Sequence, residues 1–541
     1  MNNIKKFITT WTLFLLCAFI FTSCIEEVEP TSYATEKQVS KSSAATDALL
    51  SAMTSQQNTI WSGDVGYGWG LGSILKIRDV CTGDVANQES NYDHYTQWSQ
   101  NYYIGEEYMA TQFVWQFYFQ LVLTTNNLIS AIDPESATEK NLAALGCAYA
   151  FRAMWYLDMA RMYEFLPNDI YTDGKNLQGN DVSGLTIPIV KDGMTKEEAR
   201  NNPRATRQEM FDFILSDLDK AQEYTKYVTD TRGQILPDSS VVLGLKAHLY
   251  MWVEDYPKAE EFARRAIDAF GKTPMTKDEC LNITTGFNTA DPWMLASQQI
   301  AESETVMSAL LNWTSWMSNQ TTYGYTSLQG DPFVMIDHKM YDRISNNDFR
   351  KLWFKAPANS SLANQVSYVH TQFKQLIPTY GSVKFRPGDA NYGEYSIGSA
   401  TAYPLMRVEE MYFIEAEAAA HQDAARGKKL VTDFMKTYRN ASYSTSVSST
   451  DDVVEEIVFQ KRVELWGEGQ TFFDIKRLNY SVTRGYDGTN FAPLTRFNTN
   501  GRPSWMNFCI VRSEAQNNTA LKDMNNPDPS DTYKPWQDPN E

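Results

Sequence analysis

The chain has 541 residues and a formal net charge of −18, and no run of Lys or Arg interrupts its acidic composition. A nucleic-acid backbone would be repelled by such a chain, so nucleic-acid binding is excluded as a function. The length suffices for a large buried core, divided into several units or built as one extended superhelical domain. Aromatic residues make up 13% of the chain, and we expect some of their rings to be exposed.

The N-terminus carries the features of a secreted, lipid-anchored protein. Two lysines precede an apolar run that is too short to span a bilayer comfortably but suits the core of a signal peptide. The run ends in FTSC at residues 21–24, which resembles the lipobox of bacterial lipoproteins, with Phe21 where Leu is usual. We predict a signal peptide over residues 1–23, lipidation of Cys24 and a polar tether over residues 24–43. An ordinary secretory signal with an accidental Cys is the alternative.

Apolar periodicity predicts helices along most of the remaining chain. At the start of one helix, Thr206 and Glu209 stand at the spacing of a capping box. Residues 239–271 form a predicted helical hairpin whose alanines fall at spacings similar to a tetratricopeptide repeat, in which small residues let paired helices cross closely. The predicted helices occupy residues 44–61, 112–128, 141–162, 206–224, 239–271, 416–438 and 453–478.

The segment 141–162, called the central helix below, is predicted to be buried on several sides. Large apolar residues recur on one side at three- and four-residue steps, and Ala or Gly occupies much of the rest, so neighbouring helices can approach on more than one face. Its charged residues Arg152, Asp158 and Arg161 each need a partner, because an unpaired buried charge is costly. The other predicted helices are therefore expected to pack around this one.

Two regions lack a sustained helical period. Residues 63–72 read GDVGYGWGLG, a glycine-rich loop that displays two aromatic rings. Residues 272–403 are rich in Gly, Asn, Ser and Thr and also carry several Trp and Tyr residues. Long ordered loops of this kind are usually functional. We expect a single domain at residues 44–541. Its helical scaffold is predicted at residues 105–271 and 404–480. Its ligand-binding loops are predicted at residues 61–104 and 272–403.

Several segments resemble motifs of the SusD/RagB family, surface lipoproteins that capture nutrients beside an outer-membrane transporter. The motifs follow one another in the family's order along essentially the whole chain, with Gln470 where the family usually has Arg. The matching segments are AYAFRAMWY (148–156), PRAT (203–206), SDL (216–218), YPLMRVEEMY (403–412), EAEA (415–418), KRVEL (461–465) and FDIKR (473–477).

The resemblance implies a mainly α-helical fold, a tetratricopeptide-like superhelix with a long, irregular, loop-rich lobe inserted. It also implies a non-catalytic, surface-exposed lipoprotein that needs no cofactor, is anchored in the outer membrane through Cys24, and delivers its ligand to a SusC-like TonB-dependent transporter. The acidic residues directly after Cys24 resemble the surface-export tag of Bacteroidetes lipoproteins. The family's ligand is most often an oligosaccharide. Asn87, Gln88 and Asn91 stand near the position of the aromatic platform of starch-binding relatives, so starch is not supported as the ligand.

A sugar ring offers an apolar C–H face and a rim of hydroxyl groups, so its site needs an aromatic face and short polar side chains in a largely preformed cleft. Two clusters on the predicted loops supply these groups, and the alternative for each ring is packing in the core. The predicted ligand-binding residues are Tyr67, Trp69, Asp84, Asn87, Tyr92 and Trp98 in the first loops and Trp313, Trp316, Tyr323 and Tyr325 in the second.

Three other functions stay open from the sequence. Some members of the family that the chain resembles capture oligopeptides, and a purely structural adaptor would bind no small ligand. A surface glycoside hydrolase needs two carboxyl groups facing each other across a cleft. Glu464 and Glu468 lie instead at positions i and i+4 of a predicted helix, with Arg407 and Arg462 among the nearby cations, so we predict that they form helix-to-helix ion pairs. The five His residues show no metal-ligand spacing, so no metal site is expected.

Overall fold

The computed structural model describes residues 42–539 except residues 64, 89, 91–92 and 329–331. The predicted signal peptide, Cys24, nearly all of the predicted tether, and Tyr92 therefore lie outside the described residues. The longer helices, in chain order, are α1 (Ser43–Gln56), α2 (Leu71–Val80), α3 (Met109–Ala131), α4 (Glu139–Tyr163), α5 (Arg207–Tyr224), α6 (Ser239–Trp252), α7 (Tyr256–Phe270), α8 (Val408–Gln422), α9 (Ala424–Tyr438), α10 (Thr450–Glu464) and α11 (Thr471–Arg477).

Short strands and short helical turns make up the regular structure of the loops. The strands are β1 (Val85–Asn87), β2 (Leu295–Gln298), β3 (Val334–Ile336) and β4 (Ala402–Met406). β1 pairs antiparallel with β3, with Val85 opposite Ile336, and β2 pairs antiparallel with β4. Short α-helices lie at Thr96–Ser99, Lys196–Ala199, Lys277–Leu281, Glu304–Met307, Trp313–Met317, Tyr325–Leu328, His338–Arg343, Phe373–Leu376, Tyr395–Gly398 and Arg512–Asn517. Turns of 3₁₀-helix lie at Thr225–Tyr227, Phe349–Trp353, Gly388–Ala390, Pro493–Thr495, Ser504–Met506 and Thr519–Leu521.

From α3 onward, the long helices form an array in which each helix packs against the next along the chain. α3 lies against α4, α4 against α5, α5 against α6 and α6 against α7. α7 then packs against α8 although residues 271–407 separate them in sequence, and α9 and α10 complete this end of the array. Ala259, Ala263 and Ala266 of α7 are fully buried, as expected where small residues let helices approach closely. The predicted helical array with an inserted, loop-rich lobe is confirmed.

The central helix is α4, and it is buried along nearly its whole length. Its charged residues are paired as predicted. The Arg152 guanidinium donates to the Asp217 carboxylate at 2.7 Å. The Asp158 carboxylate accepts from Arg78 at 3.0 Å and from Arg161 at 2.7 Å. These contacts join α4 to α5 on one side and to α2 on the other. The helical array and the first loops are therefore both anchored to α4.

Glycine divides one of the predicted helices. Residues 453–478 form α10 and α11 rather than one helix, because Gly467 and Gly469 adopt left-handed conformations with φ of 77° and 71°. L-residues rarely adopt such values and glycine does so readily. As a result Glu464 ends α10 while Glu468 lies in the following turn, so the prediction that both acids belong to one helix is wrong.

Capping residues fix other boundaries. Thr206 and Glu209 form the predicted capping box at the start of α5. The predicted helix at residues 416–438 is divided at Asp423, whose side chain accepts hydrogen bonds from the first backbone amides of α9. The predicted helix at residues 44–61 ends earlier, at Gln56. Within the part of the chain that the structure describes, no helix is both long and apolar enough to cross a membrane.

Candidate ligand-binding site

The two predicted aromatic clusters lie side by side in the folded chain. The pairing of β1 with β3 brings the first loops to the inserted lobe. The His94 ring lies 5.8 Å from Trp316 and 5.2 Å from Tyr325, and Tyr95 lies 5.1 Å from Trp316, centroid to centroid. Trp316 and Tyr325 are stacked at 4.3 Å. Segments more than 200 residues apart therefore build one aromatic region.

Most of the predicted ligand-binding rings form the support of this region and not its surface. Trp69, Trp98, Trp313 and Trp316 are each at most 3% exposed. Trp313, for example, is stacked on Tyr403 at 4.9 Å. Packing in the core, which the sequence left open as the alternative for each ring, therefore applies to these four rings. Among the other predicted rings, Tyr67 and Tyr323 are buried and Tyr325 is half-buried.

The predicted polar residues Asp84 and Asn87 have separate surroundings. The Asp84 carboxylate is buried and accepts hydrogen bonds from the Arg462 guanidinium and, at 3.3 Å, from the Thr471 hydroxyl. Asp84 therefore links the first loops to α10 and α11, which corrects its assignment as an accessible ligand residue. Asn87 is half-buried at the end of β1 and lines a small cleft together with Asp93.

An open cavity of about 560 Å³ lies next to these packed rings. Tyr103 is 54% exposed and Met109 45% exposed, while Tyr108 is half-buried. The rings of Tyr103 and Tyr108 are 5.0 Å apart, centroid to centroid. The cavity is lined by Val65, Gly66, Tyr67, Asp93, His94, Thr96, Gln97, Tyr103, Tyr108, Met109 and Ala110. Aromatic faces beside a carboxylate, a hydroxyl and an amide are the groups that a sugar ring needs.

The C-terminal segment supports the loop that presents Tyr103. Asn101 and Tyr103 have left-handed backbone conformations, with φ of 51° and 55°, which is unusual for a residue as large as tyrosine. The Ile104 amide donates to the Ser530 hydroxyl at 3.0 Å, and the Asp531 amide donates to the carbonyl oxygen of Asn101 at 2.8 Å. Strained conformations persist where surrounding contacts enforce them, and they are concentrated at functional sites.

The rim of the aromatic cavity is acidic. Among the residues that the structure describes, Asp93 lines the cavity and no Lys or Arg does. Desolvation raises the pKa of Tyr108, and the nearby carboxylates of Asp528, Glu107 and Asp531 raise it further. Such surroundings repel anionic ligands, so the site favours a neutral or cationic ligand.

A buried lysine lies beneath the aromatic region. The Lys76 ammonium lies 5.1 Å from the centroid of the Tyr95 ring and 5.8 Å from that of Trp316. Among the described residues it forms no hydrogen bond. Burial lowers its pKa to about 8, against the opposing effect of Asp93 and Asp79. Lys76 thus places a positive charge beneath the packed rings, and desolvation makes that charge unfavourable.

Of the described residues that line the cavity, only Tyr67 was among the predicted ligand-binding residues. The missed side chains include the polar and aromatic groups of the cavity, namely Asp93, His94, Thr96, Gln97, Tyr103, Tyr108 and Met109. The segment NYYIGEEYM at residues 101–109 places tyrosines on both sides of a glycine at the end of a predicted loop. That pattern of rings beside a flexible residue is the one that singled out residues 63–72, and it also identifies this second loop.

The carboxylates considered for catalysis are held in ion pairs. Glu464 contacts Arg439 at 2.7 Å, Arg407 at 3.1 Å and Arg350 at 3.2 Å, and all four side chains are fully buried. Glu468 accepts from Arg407 at 2.9 Å. The predicted ion pairing of the two acids is confirmed. In the described part of the chain, no group of three or more His, Cys, Asp or Glu residues is placed to hold a metal ion.

Comparisons with known proteins agree with this architecture. Residues 285–535 match a family model described as SusD family, and residues 73–251 match one described as starch-binding associating with outer membrane. No curated protein matches the chain.

Solved structures of SusD-like proteins share the fold over most of the chain. A SusD-like carbohydrate binding protein from Bacteroides vulgatus has a TM-score of 0.68 and 22% identity, with 89% of this chain and 98% of that chain covered. A SusD superfamily protein from Bacteroides thetaiotaomicron has a TM-score of 0.66 and 15% identity, with 90% and 100% covered. A laminarin binding SusD-like protein has a TM-score of 0.59 and 16% identity, with 88% and 98% covered. These neighbours show the fold. The two family models match successive parts of the chain, and on that basis the chain belongs to the SusD/RagB family.

Proposed function

We propose that this protein is a non-catalytic glycan-binding protein that captures an oligosaccharide in the tyrosine-lined cavity. The cavity itself carries the proposal, since Tyr103 and Tyr108 are accessible, sit on a loop held by the C-terminal segment, and adjoin the polar side chains of Asp93, Thr96 and Gln97. The buried rings of Trp98 and Trp316 give this surface a rigid backing. A rigid, preformed aromatic surface limits the entropy lost on binding.

The cellular role that we propose is capture at the cell surface and delivery to a SusC-like TonB-dependent transporter. The lipobox-like FTSC at residues 21–24 supports anchoring of the mature protein in the outer membrane through Cys24. The family model matched by residues 73–251 is itself described by association with the outer membrane. Labelling with palmitate in the native host, lost in Cys24→Ala, tests the anchor, and co-purification with a TonB-dependent barrel tests the partnership.

Calorimetric titration of the purified protein with neutral glycans, including laminarin, tests the ligand site. We expect saturable binding to one glycan class, with a roughly fivefold loss of affinity in Tyr103→Ala or Tyr108→Ala, because a stacking face contributes on the order of 1 kcal/mol. Tyr227→Ala is the matched control, since Tyr227 is a half-buried tyrosine outside the cavity. Equal losses in the control and the cavity variants would refute this site.

The other functions give different results in the same experiment. Heat from a peptide digest, with none from the glycans, would favour capture of oligopeptides by the same cavity. Release of new reducing ends from a bound glycan would establish hydrolysis. The ion pairing of Glu464 and Glu468 argues against these acids as a hydrolytic pair, because neither is free to face a substrate across a cleft.

A further inference from the structure

A second cavity, of about 140 Å³, lies inside the helical array and shares no lining residue with the tyrosine-lined cavity. α4, α6, α8, α10 and α11 contribute to its walls. In a chain with a net charge of −18, this cavity is lined by more cationic than acidic side chains. The cations are Arg161, Arg207, Lys461, Lys476, Arg477 and Arg502.

The inner part of this cavity has its charges balanced. The Lys461 ammonium lies 2.8 Å from the Asp474 carboxylate and 3.8 Å from that of Glu410. The Arg477 guanidinium contacts the carboxylate of Glu417 and, at 3.3 Å, that of Asp474. These ion pairs belong to the junction between α8, α10 and α11, and they leave little charge for a ligand.

The outer part of the cavity lies at Glu164, Arg207, Lys476 and Arg502, where the cationic side chains outnumber the carboxylates. Both oxygens of the Glu164 carboxylate are already engaged, one by Arg207 Nε at 2.5 Å and the other by Trp252 Nε1 at 2.8 Å. The Lys476 ammonium donates to the backbone carbonyl oxygens of Met162 at 2.9 Å and Glu164 at 2.8 Å, which carry no net charge. The carboxylates near this group of cations are therefore that of Glu164, which is already engaged, and that of Glu254, which is exposed.

Arg502 completes the group. Its Nε donates to the Asn479 side-chain oxygen at 2.9 Å. Within the described residues, the terminal Nη atoms of Arg502 and Arg207 form no hydrogen bond to the protein. Arg207 keeps 39% of its side chain exposed and Arg502 is half-buried, so both guanidinium groups are accessible from solvent while they line the cavity.

Each of these cations makes it less favourable for its neighbours to stay charged, which lowers their pKa values. Burial lowers the pKa of Lys476 well below its ordinary value, Glu164 opposes this, and Arg502, Arg204 and Arg207 lower the pKa further. The pKa of Arg502 is also lowered, first by burial and also by Arg207, against the opposing effect of Glu164 and Glu254. Like charges held together at a partly buried position gain most from a counter-ion.

We propose that the outer part of this cavity binds a small oxyanion, phosphate or sulfate, between the side chains of Arg207, Lys476 and Arg502. Guanidinium groups present paired N–H donors that match the oxygens of such anions, and the lysine adds a point charge. A volume of about 140 Å³ accommodates several water-sized groups. The anion would be free phosphate or sulfate, or the same group as an ester on a saccharide.

Calorimetric titration of the purified protein with sodium phosphate and sodium sulfate, at ionic strength held constant with sodium chloride, tests this site. We expect saturable binding of at least one of the two anions over chloride, and a roughly tenfold or larger loss of affinity in Arg502→Gln, since hydrogen bonds between charged groups are the stronger ones. Arg200→Gln is the matched control, because Arg200 is exposed and lies outside the cavity. Lys476 is left unchanged because it binds the carbonyl end of α4.

Four outcomes decide the proposal. Absence of saturable binding over chloride, or equal affinities in Arg502→Gln and Arg200→Gln, overturns it. Loss of phosphate binding in Arg502→Gln with glycan binding unchanged supports a site independent of the tyrosine-lined cavity. A sulfated monosaccharide that binds more tightly than sulfate itself, again dependent on Arg502, also supports the site and identifies a saccharide ester as the source of the anion. A thermal melt of each variant checks that the fold is retained.

Discussion

The ion-pair network around Glu464 and the tyrosine-lined cavity are both assembled from distant segments, but they place opposite demands on the chain. The network removes the Glu464 carboxylate and three guanidinium groups from water and pairs them within 3.2 Å. The same guanidinium groups also contact the buried carboxylates of Asp348, Glu409 and Glu468. The cavity leaves Tyr103 and Met109 about half exposed. Charged side chains that could be catalytic in the sequence are thus buried in ion pairs in the network, whereas aromatic side chains of the cavity stay accessible to a ligand.

The two regions differ in whether each buried charged group has a hydrogen-bonding or ion-pair partner. Every charge of the network has a partner of opposite sign, whereas Lys76, beneath the aromatic region, is buried without a hydrogen bond among the described residues. Buried groups that lack partners lower stability, and natural proteins retain such groups most often near functional sites. The following predictions test this contrast, from the largest expected effect to the smallest.

Removing the charge of Glu464 is expected to cause the largest change. Glu464→Gln leaves three buried guanidinium groups without their shared carboxylate, so we expect the free energy of unfolding to fall by about 3–5 kcal/mol at pH 7. Burial alone would raise the pKa of Glu464, but Arg439, Arg407 and Arg350 hold it below its ordinary value. Urea unfolding followed by circular dichroism measures the loss.

The pH dependence and a neighbouring acid provide the checks. Because the folded-state pKa of Glu464 is lowered, its stabilisation is fully present above the unfolded-state value of about 4.3 and declines as the pH falls below it. The defect of Glu464→Gln should therefore shrink in acid. Glu455→Gln on the same helix removes an exposed partner of Arg343 and should cost less than about 1 kcal/mol. Similar losses in both variants would contradict the importance of burial.

Replacing Lys76 is expected to act in the opposite direction. Lys76→Met removes a buried, poorly solvated ammonium group and should stabilise the protein by about 2 kcal/mol at pH 7. The folded-state pKa is about 8 and the unfolded-state value about 10.4. Between these two pKa values the unfolded chain binds more protons than the folded protein. The free energy of unfolding of the wild-type protein therefore rises with pH in this range. That contribution should be missing in Lys76→Met and present in the exposed control Lys436→Met; destabilisation by Lys76→Met at pH 7 would refute this account.

Periodicity and capping residues predicted most of the fold because they are local signals. The buried face of α4 follows from apolar residues at helical spacing, and the start of α5 follows from Thr206 and Glu209. The division between α10 and α11 was missed because a glycine in a helical pattern is often tolerated. Only the folded chain shows that Gly467 and Gly469 adopt left-handed conformations there.

The accessible rings were harder to predict because exposure depends on distant partners. Trp313 and Tyr103 both lie in loop regions of the sequence, but Trp313 is covered by Tyr403. Tyr103 stays open because residues 530 and 531, more than 400 positions away, hold its loop in place. The two predicted clusters lie side by side in the fold, but the spacing of rings in the sequence does not show which of them face outward.

The acidic rim of the cavity predicts a preference among glycans. A neutral oligosaccharide should bind roughly fivefold or more tightly than a uronic-acid oligosaccharide of the same length at low salt, because Asp93 lines the cavity and the carboxylates of Glu107 and Asp528 lie near Tyr108. The gap should narrow at high salt, where the rim charges are screened. Paired calorimetric titrations at two salt concentrations measure it. Tighter binding of the uronic acid would show that the rim does not govern selection.

The smallest expected effect concerns an ion pair as short as those of the network but exposed to water. Lys429 and Asp433 on α9 lie 2.5 Å apart, with 75% and 56% of their side chains exposed. Solvent already stabilises both charges, so Lys429→Ala should change the free energy of unfolding by no more than about 0.5 kcal/mol, and high salt should abolish the difference. Urea unfolding with and without added salt measures the change. A loss of several kcal/mol would mean that distance, rather than removal from water, sets the strength of the ion pairs, and the contrast drawn for Glu464 would fail.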